Sequence, residues 1–281
     1  MAKSMSQSFQ SAVLRWIVRV CAFLSAAVIA GIVCYVLYMG VPNLSPEMFA
    51  GKYTSDNASL FPALINTLTV TFLTLLIAAP AGIGAAIYLA EYAKRGNRFV
   101  RVIRITAETL SGIPSIVYGL FGLLFFVTAL HWQFSLLAGC CTLAIMILPV
   151  IMRTTEEALL AVPDTYREAS FGLGAGKLRT VFRIVLPSAV PGIVNGIVLS
   201  TGRIVGETAA LLYTAGTVAR IPETVMGSGR TLAVHLYSLW SEGLRTEQAY
   251  ATAVILLVVV IILNVISTRL EKLTKGRSIN G

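Results

Sequence analysis

The chain has 281 residues, of which 56% are hydrophobic and only 12% charged, with a mean hydropathy of +0.80 and a formal net charge of +9. Soluble domains carry roughly 25% charged residues, so the composition excludes an ordinary soluble protein and describes a polytopic membrane chain. Its basic residues are scattered between apolar runs, with no basic stripe interleaved with aromatics, and this excludes a nucleic-acid partner.

A helix needs about 20 mostly apolar residues to cross the hydrocarbon core. Six stretches qualify: roughly 17–41, 61–90, 109–130, 134–152, 188–214 and 249–267. The first follows Lys3, Arg15 and Arg19, as a signal peptide would, but its apolar run is too long for an h-region and no small-x-small cleavage site follows. It is read as a retained helix. The outer segment 43–60 contains the triplet Asn57-Ala58-Ser59, read as a chance sequon. Within the third span, SGIPSIVYGLFG (111–122) places Pro114 between Gly112 and Ser115, a kinked or interrupted helix. Broken backbone at membrane depth is tolerated where it lines a cavity or is buried in protein. Ser111, Ser115 and Tyr118 are therefore candidate pathway residues, with a packing kink as the alternative, and Glu108 sits at the cytoplasmic rim. In the outer segment 216–247, Tyr237 and Trp240 fit an interfacial belt.

Orientation follows from the loops. Seventeen of the 22 Lys and Arg residues fall in segments that are cytoplasmic if both termini are inside. Only Lys52, Arg220, Arg230 and Arg245 fall outside, and Arg203 lies within a span. Cys21, Cys34, Cys140 and Cys141 all lie in apolar runs without metal spacing and read as small apolar side chains. His131 and His235 form no ligand set, so no metal site is expected.

Residues 153–187 carry the most specific pattern. Pro163-Asp164 starts a helix, DTYREAS continues it, and Gly172, Gly174 and Gly176 break it at a turn. Lys177 to Val185 then forms a second helix, ended by Pro187. GLGAGK is not a P-loop, because Phe171 stands where the first glycine belongs and Leu178 where Ser or Thr belongs. The spacing Glu168-Ala169-Ser170, three residues, Gly174, nine residues, Ile184, one residue, Leu186-Pro187 resembles the EAA loop of bacterial ABC importer permeases. Ser170 for the third alanine is the single departure. The resemblance implies an all-α membrane protein of six transmembrane helices with the type I (MetI-like) importer permease fold. It covers about 61–270, preceded by an N-terminal tail, first helix and outer loop (1–60) and followed by a cytoplasmic tail (271–281). It implies that the hairpin couples to a partner ATPase through Glu168, Ala169, Ser170, Gly174, Ile184, Leu186 and Pro187.

The fifth span contains TGRIVGETAALLYTAG (201–216), with Arg203 and Glu207 four residues apart and so on one helical face. An ionised group at bilayer depth costs on the order of 3 kcal/mol, and Arg before Glu is the weaker order for a local pair. Two readings stand: a pair facing the bundle interior, or an anion pathway in which Arg203 handles an oxyanion and Glu207 moderates it. Ser200, Thr201 and Thr208 add hydroxyls at that depth. Gly192/Gly196 and Gly202/Gly206 are small-xxx-small pairs suited to close helix packing.

GRxxGETAALLxTAG, with SGIPSIVYGLFG, resembles the A-type permease subunits of the phosphate importers within the same family. That implies a multi-pass chain of the bacterial inner membrane, both termini cytoplasmic, embedded in lipid and forming half of a pathway for inorganic phosphate. The implied partners are a C-type permease in a heterodimer, two ATPase subunits and a periplasmic phosphate-binding protein. ATP is used by the ATPase; the chain itself is expected to bind no cofactor and to carry no catalytic residue. Another oxyanion (sulfate, molybdate or phosphonate) is the alternative cargo. An intramembrane enzyme using Glu207 with His235 or Ser200 is the remote alternative.

Overall fold

The computed structural model describes residues 2–54, 57–94, 96–243 and 245–279, of which 2–10, 267 and 270–279 are described by backbone alone. Among the described residues the regular structure is entirely helical. Five helical stretches are long and apolar enough to cross a membrane: Ser11–Asn43, Phe61–Tyr92, Leu136–Leu160, Lys177–Val205 and Thr246–Ile266. Among the described residues a pair of helices, Arg98–Ser111 and Ser115–Ala129, bent by 101° at their junction, passes the same length and apolarity test only when the two are taken together, which brings the count to six. Arg95, one of the residues behind the orientation reading, lies outside the described residues.

Helix α1 (Ala2–Gly40) and helix α2 (Phe61–Ile87, continued by a π turn to Tyr92) run uninterrupted. Helix α3 (Arg98–Ser111) starts at Asn97, whose side chain accepts from the Phe99 amide at 2.9 Å. Pro114 then separates it from α4 (Ser115–Gly122), so the expected span 109–130 is broken at its inner end. Pro114 has no N–H to give the Leu110 carbonyl, and the Tyr118 hydroxyl donates to that carbonyl instead at 2.8 Å.

Helix α5 (Leu136–Leu160) reaches eight residues beyond the expected end at 152 and leads to the hairpin, α6 (Asp164–Gly172) and α7 (Lys177–Thr180). Pro187 does not end the second hairpin helix as expected. The chain stays helical from Lys177 through a π turn at Val181–Val185 into α8 (Leu186–Val205), with Pro187 in the first turn of α8, where a missing N–H is tolerated. The fifth span ends at Val205 rather than 214. A short helix α9 (Ala209–Leu212) follows, then α10 (Leu232–Glu242) and α11 (Thr246–Ile279).

In lipid, apolar faces gain little from meeting one another, so the bundle depends on close packing at small residues. Gly192 sits against Ala158 and Gly196 against Thr154, joining α8 to α5, while Gly82 joins α2 to Ile151 of α5. Gly202 and Gly206 have no such neighbour, so only the first of the two expected glycine pairs packs helices together. Val70, Leu143, Ile147, Ile151, Ile204 and Leu211 fill the centre. The apolar stretch of α1 has none of its residues buried, and α1 meets α11 at its C-terminal end, through Tyr35 and Tyr250 and through Gly40 against the Tyr250 backbone.

Candidate functional site

At the hairpin, Pro163 is extended and Asp164 occupies the first turn of α6, where a carboxylate favours the helix dipole. Gly174 adopts φ +80°, the left-handed region that reverses the chain. Its amide donates to the Phe171 carbonyl (2.9 Å), and the Ala175 amide donates to Ser170 (3.1 Å). Ser170, the residue departing from the family pattern, is buried and its hydroxyl bonds the Thr180 hydroxyl at 2.8 Å across the hairpin. An alanine would leave Thr180 without that clasp. Glu168, Ala169, Gly174 and Pro187 are exposed, and Ile184 and Leu186 are half-buried.

The hairpin tip presents Leu173 at 89% exposure, with Phe171 and Leu178 beside it in sequence and also exposed. Isolated exposed apolar residues are ordinary, but three on one hairpin within residues 171–178 are more than that.

What fixes the hairpin to the bundle is Arg167, which the sequence offered only as one more cytoplasmic charge. Its Nη2 lies 2.6 Å from Glu91 Oε1 and donates to the Leu159 carbonyl; its Nη1 donates to the Val162 carbonyl and to Asp164. The pair is nearly enclosed, with Glu91 7% and Arg167 15% exposed. Arg104 of α3 likewise meets buried Glu156 of α5 at 2.6 Å. Neither pairing has a local signature, because 76 and 52 residues separate the partners.

Within the bundle, Arg203 and Glu207 do not share a helical face. Helix α8 ends at Val205 with Gly206 as its cap, so Glu207 lies beyond it. The Glu207 carboxylate is buried and accepts from the Ala210 amide at 3.1 Å, closing the start of α9. Among the described residues no ion pair joins it to Arg203. The break lets α9 approach α4, where a β-carbon on Gly119 would fall 2.9 Å from Ala210 Cα. That approach brings half-buried Arg203 within electrostatic range of the Tyr118 hydroxyl.

The remaining expected pathway residues divide. Ser200 is fully buried with an unpartnered hydroxyl. Thr201 back-bonds to Ile197, and Ser111 to Glu108. Ser115, half-buried, opens α4 beside the break. Thr208 lines an apolar depression with Val36, Tyr237, Trp240 and Tyr250. Of the expected residues, Tyr118 and Arg203 are within electrostatic range of one another, and Glu207 caps the α9 that packs on α4.

In the segment between α1 and α2, Asn57 uses its amide to organise its own loop, accepting from the Thr54 and Ser59 amides and donating to the Lys52 carbonyl. His235 is fully buried, its ring set edge-on to Tyr53 at 6.0 Å. Burial, and then the charge of Arg230, push it down to about 3. It is neutral at physiological pH and faces Tyr53 and Arg230. Cys140 is buried in the core and Cys141 half-buried, whereas Cys21 and Cys34 are exposed on α1. Among the described residues no group of His, Cys, Asp or Glu is placed to hold a metal ion.

Residues 78–276 match the family described as "Binding-protein-dependent transport system inner membrane component". The chain is 37% identical over 239 residues to Bacillus subtilis (strain 168) "Probable ABC transporter permease protein YqgI", covering 80% of this chain and 81% of the relative. It is 35% identical to "Phosphate transport system permease protein PstA" of Pasteurella multocida (strain Pm70), covering 83% of this chain and 85% of the relative. "Phosphate transport system permease protein PstA 1" of Mycobacterium tuberculosis (strain ATCC 25618 / H37Rv) is 43% identical over 61% of this chain, a match spanning only 53% of that relative. In fold, the chain is similar to a chain of the inward-facing MetNI methionine ABC transporter (TM-score 0.61, 22% identity, 75% of this chain and 93% of that one). It is also similar to one in a bacterial alginate ABC transporter complex (TM-score 0.62, 19% identity, 90% and 95%).

Proposed function

The chain belongs to the family of binding-protein-dependent transport system inner membrane components, and we propose that it is the A-type permease subunit of an ATP-driven importer of inorganic phosphate. The similarity to PstA phosphate permeases over more than four-fifths of both chains carries this reading. The site chemistry supports it. Arg203 holds a planar, permanently charged fork of donors in an apolar bundle, and no carboxylate neutralises it among the described residues. A cation kept unneutralised at that depth suits a passing oxyanion. Glu207 acts on the pathway through the backbone it caps.

The remaining partners follow the same reading. Both termini face the cytoplasm, as the bias of basic residues directs. The hairpin, with exposed Leu173 at its turn and Arg167 locked on Glu91 at its base, docks on an ATPase subunit. Glu168, Ala169, Ser170, Gly174, Ile184, Leu186 and Pro187 form or support that contact. A C-type permease supplies the other half of the pathway, a second ATPase completes the pair, and a periplasmic phosphate-binding protein delivers cargo. The chain itself binds no nucleotide and catalyses no reaction. Deleting this subunit should abolish uptake of labelled phosphate and leave sulfate uptake intact; loss of sulfate uptake with phosphate uptake unchanged would overturn the reading.

A further inference from the structure

Of the four basic residues in the outer segments, three converge. Lys52, Tyr53 and Arg220, with Ile221 and Pro62, line a depression of about 370 Å³, and among the described residues no acidic side chain lies in its wall. Tyr53 forms its inner boundary, and the Arg230 guanidinium lies over the Tyr53 ring, 4.6 Å from its centre. Arg230 is 5% exposed, yet its Nε and Nη2 have no hydrogen-bond partner. The next residue, Thr231, has a buried unpartnered hydroxyl, and neither ring nitrogen of fully buried His235 has a partner within hydrogen-bonding geometry. The Ala58 carbonyl is close enough to affect the His235 ring without completing a normal bond.

Unsatisfied buried polar groups cost roughly 1–3 kcal/mol each, so several gathered in one place require a reason. Each of these groups brings a donor: the guanidinium edge two N–H groups, the hydroxyl one and the neutral imidazole one. The shape of the Arg230 edge fits the two parallel bonds an oxyanion accepts. The backbone holding Arg230 is also fixed in advance. Asn66 Nδ2 donates to both the Arg220 and Arg230 carbonyls (2.9 and 3.1 Å), and Thr67 Oγ1 accepts from the Leu232 amide (2.8 Å). The other end of this segment caps α5, with the amides of Ser135, Leu136 and Leu137 donating to the Thr214, Gly227 and Val225 carbonyls.

We propose that Arg230, behind Tyr53 and fronted by Lys52 and Arg220, is an outer receiving site for an inorganic oxyanion, distinct from Arg203. The proposal rests on the phosphate-importer reading for the identity of the ion, not for the site itself. An anion drawn into the basic depression meets Lys52 and Arg220 first. Rotation of Tyr53 then opens the Arg230 edge, and the anion takes the two free N–H groups in place of the ring face. His235 stays neutral beside it, adding a donor without a second fixed charge that would hold the ion too tightly to leave.

The test is chemical protection in the assembled importer, in right-side-out vesicles, with the four native cysteines replaced by alanine and Ile221→Cys added. A membrane-impermeant, negatively charged methanethiosulfonate reagent reports access to the depression. Inorganic phosphate should slow labelling by about fivefold relative to chloride at equal ionic strength. Arg230→Gln should abolish that protection, and Arg203→Gln should leave it intact while import is lost. If Arg230→Gln fails to reach the membrane, Arg230→Lys carries the test, since it keeps the charge without the fork and should also lose most of the protection. Equal slowing by chloride, or full protection persisting in Arg230→Lys, overturns the proposal. So does protection by the binding protein but not by free phosphate, which would make the occupant a partner's carboxylate. Asp56 lies outside the described residues, and Asp56→Asn should leave protection unchanged; a gain of protection there would name Asp56 as the occupant of the Arg230 edge and overturn the site. Absent import with protection retained would reject the importer reading alone.

Discussion

Arg167 Nη2 lies 2.6 Å from Glu91 Oε1, and through this contact the C-terminal end of α2 holds the first helix of the hairpin. The same guanidinium spans the Leu159 and Val162 carbonyls at the end of α5, so three elements meet at one side chain.

Breaking a buried pair by removing one partner costs about 3–5 kcal/mol, because the other charge stays uncompensated. Glu91→Ala and Arg167→Ala should each loosen the hairpin and reduce copurification of the ATPase. The double variant Glu91→Leu/Arg167→Met should be less damaging than either single change. Undiminished ATPase recovery in both single variants would show that the pair does not position the hairpin.

Gly174 has φ +80° and open space where a β-carbon would stand, so a substitution there strains only the backbone. That strain is about 1–2 kcal/mol for a residue without glycine's freedom. Gly174→Val should weaken ATPase association and uptake together, while Gly174→Asn should be nearly silent, because asparagine tolerates the left-handed region. Equal behaviour of the two variants would reject a conformational role.

Glu207 caps α9 through the Ala210 amide, a contact worth about 1 kcal/mol. A glutamine keeps the accepting oxygen and loses the charge; an alanine loses both. If the cap is what matters, Glu207→Gln transports phosphate and Glu207→Ala is thermally less stable and slower. Loss of transport in Glu207→Gln with unchanged stability would assign Glu207 an electrostatic role instead.

His235 is pushed down to about 3 by burial and by Arg230, against an ordinary value near 6.5. The unfolded chain therefore takes up a proton between pH 6.5 and about 3 that the folded chain refuses, so stability falls as the pH drops through that window and is fully present above it. The slope approaches ~1.4 kcal/mol per pH unit from this group alone. Melting curves of the purified complex should show the acid loss, and His235→Phe should flatten it. An unchanged profile in that variant would mean His235 is accessible to protons in the folded state.

The spans and the hairpin were legible because each depends on local information: runs of apolar residues, a helix-starting Pro163-Asp164 and a glycine that can turn left-handed. Pro187 misled because a proline in a first turn is compatible with a continuing helix, and only the register shift at Val181–Val185 decides between the two. Arg203 and Glu207 misled because spacing four implies one face only if the helix continues, and it ends at Val205. Arg167–Glu91 and the Tyr53–Arg230–His235 group were invisible, since they join residues far apart in the chain whose local surroundings look unremarkable.

If phosphate passes Arg203 on its way through the bundle, removing that guanidinium should stop import without disturbing assembly. The direct measurement is labelled phosphate uptake by Arg203→Gln in cells lacking other phosphate importers, with assembly of permease and ATPase verified by copurification. Uptake at background in an intact complex is the predicted result. Uptake at the wild-type rate in that complex would contradict it.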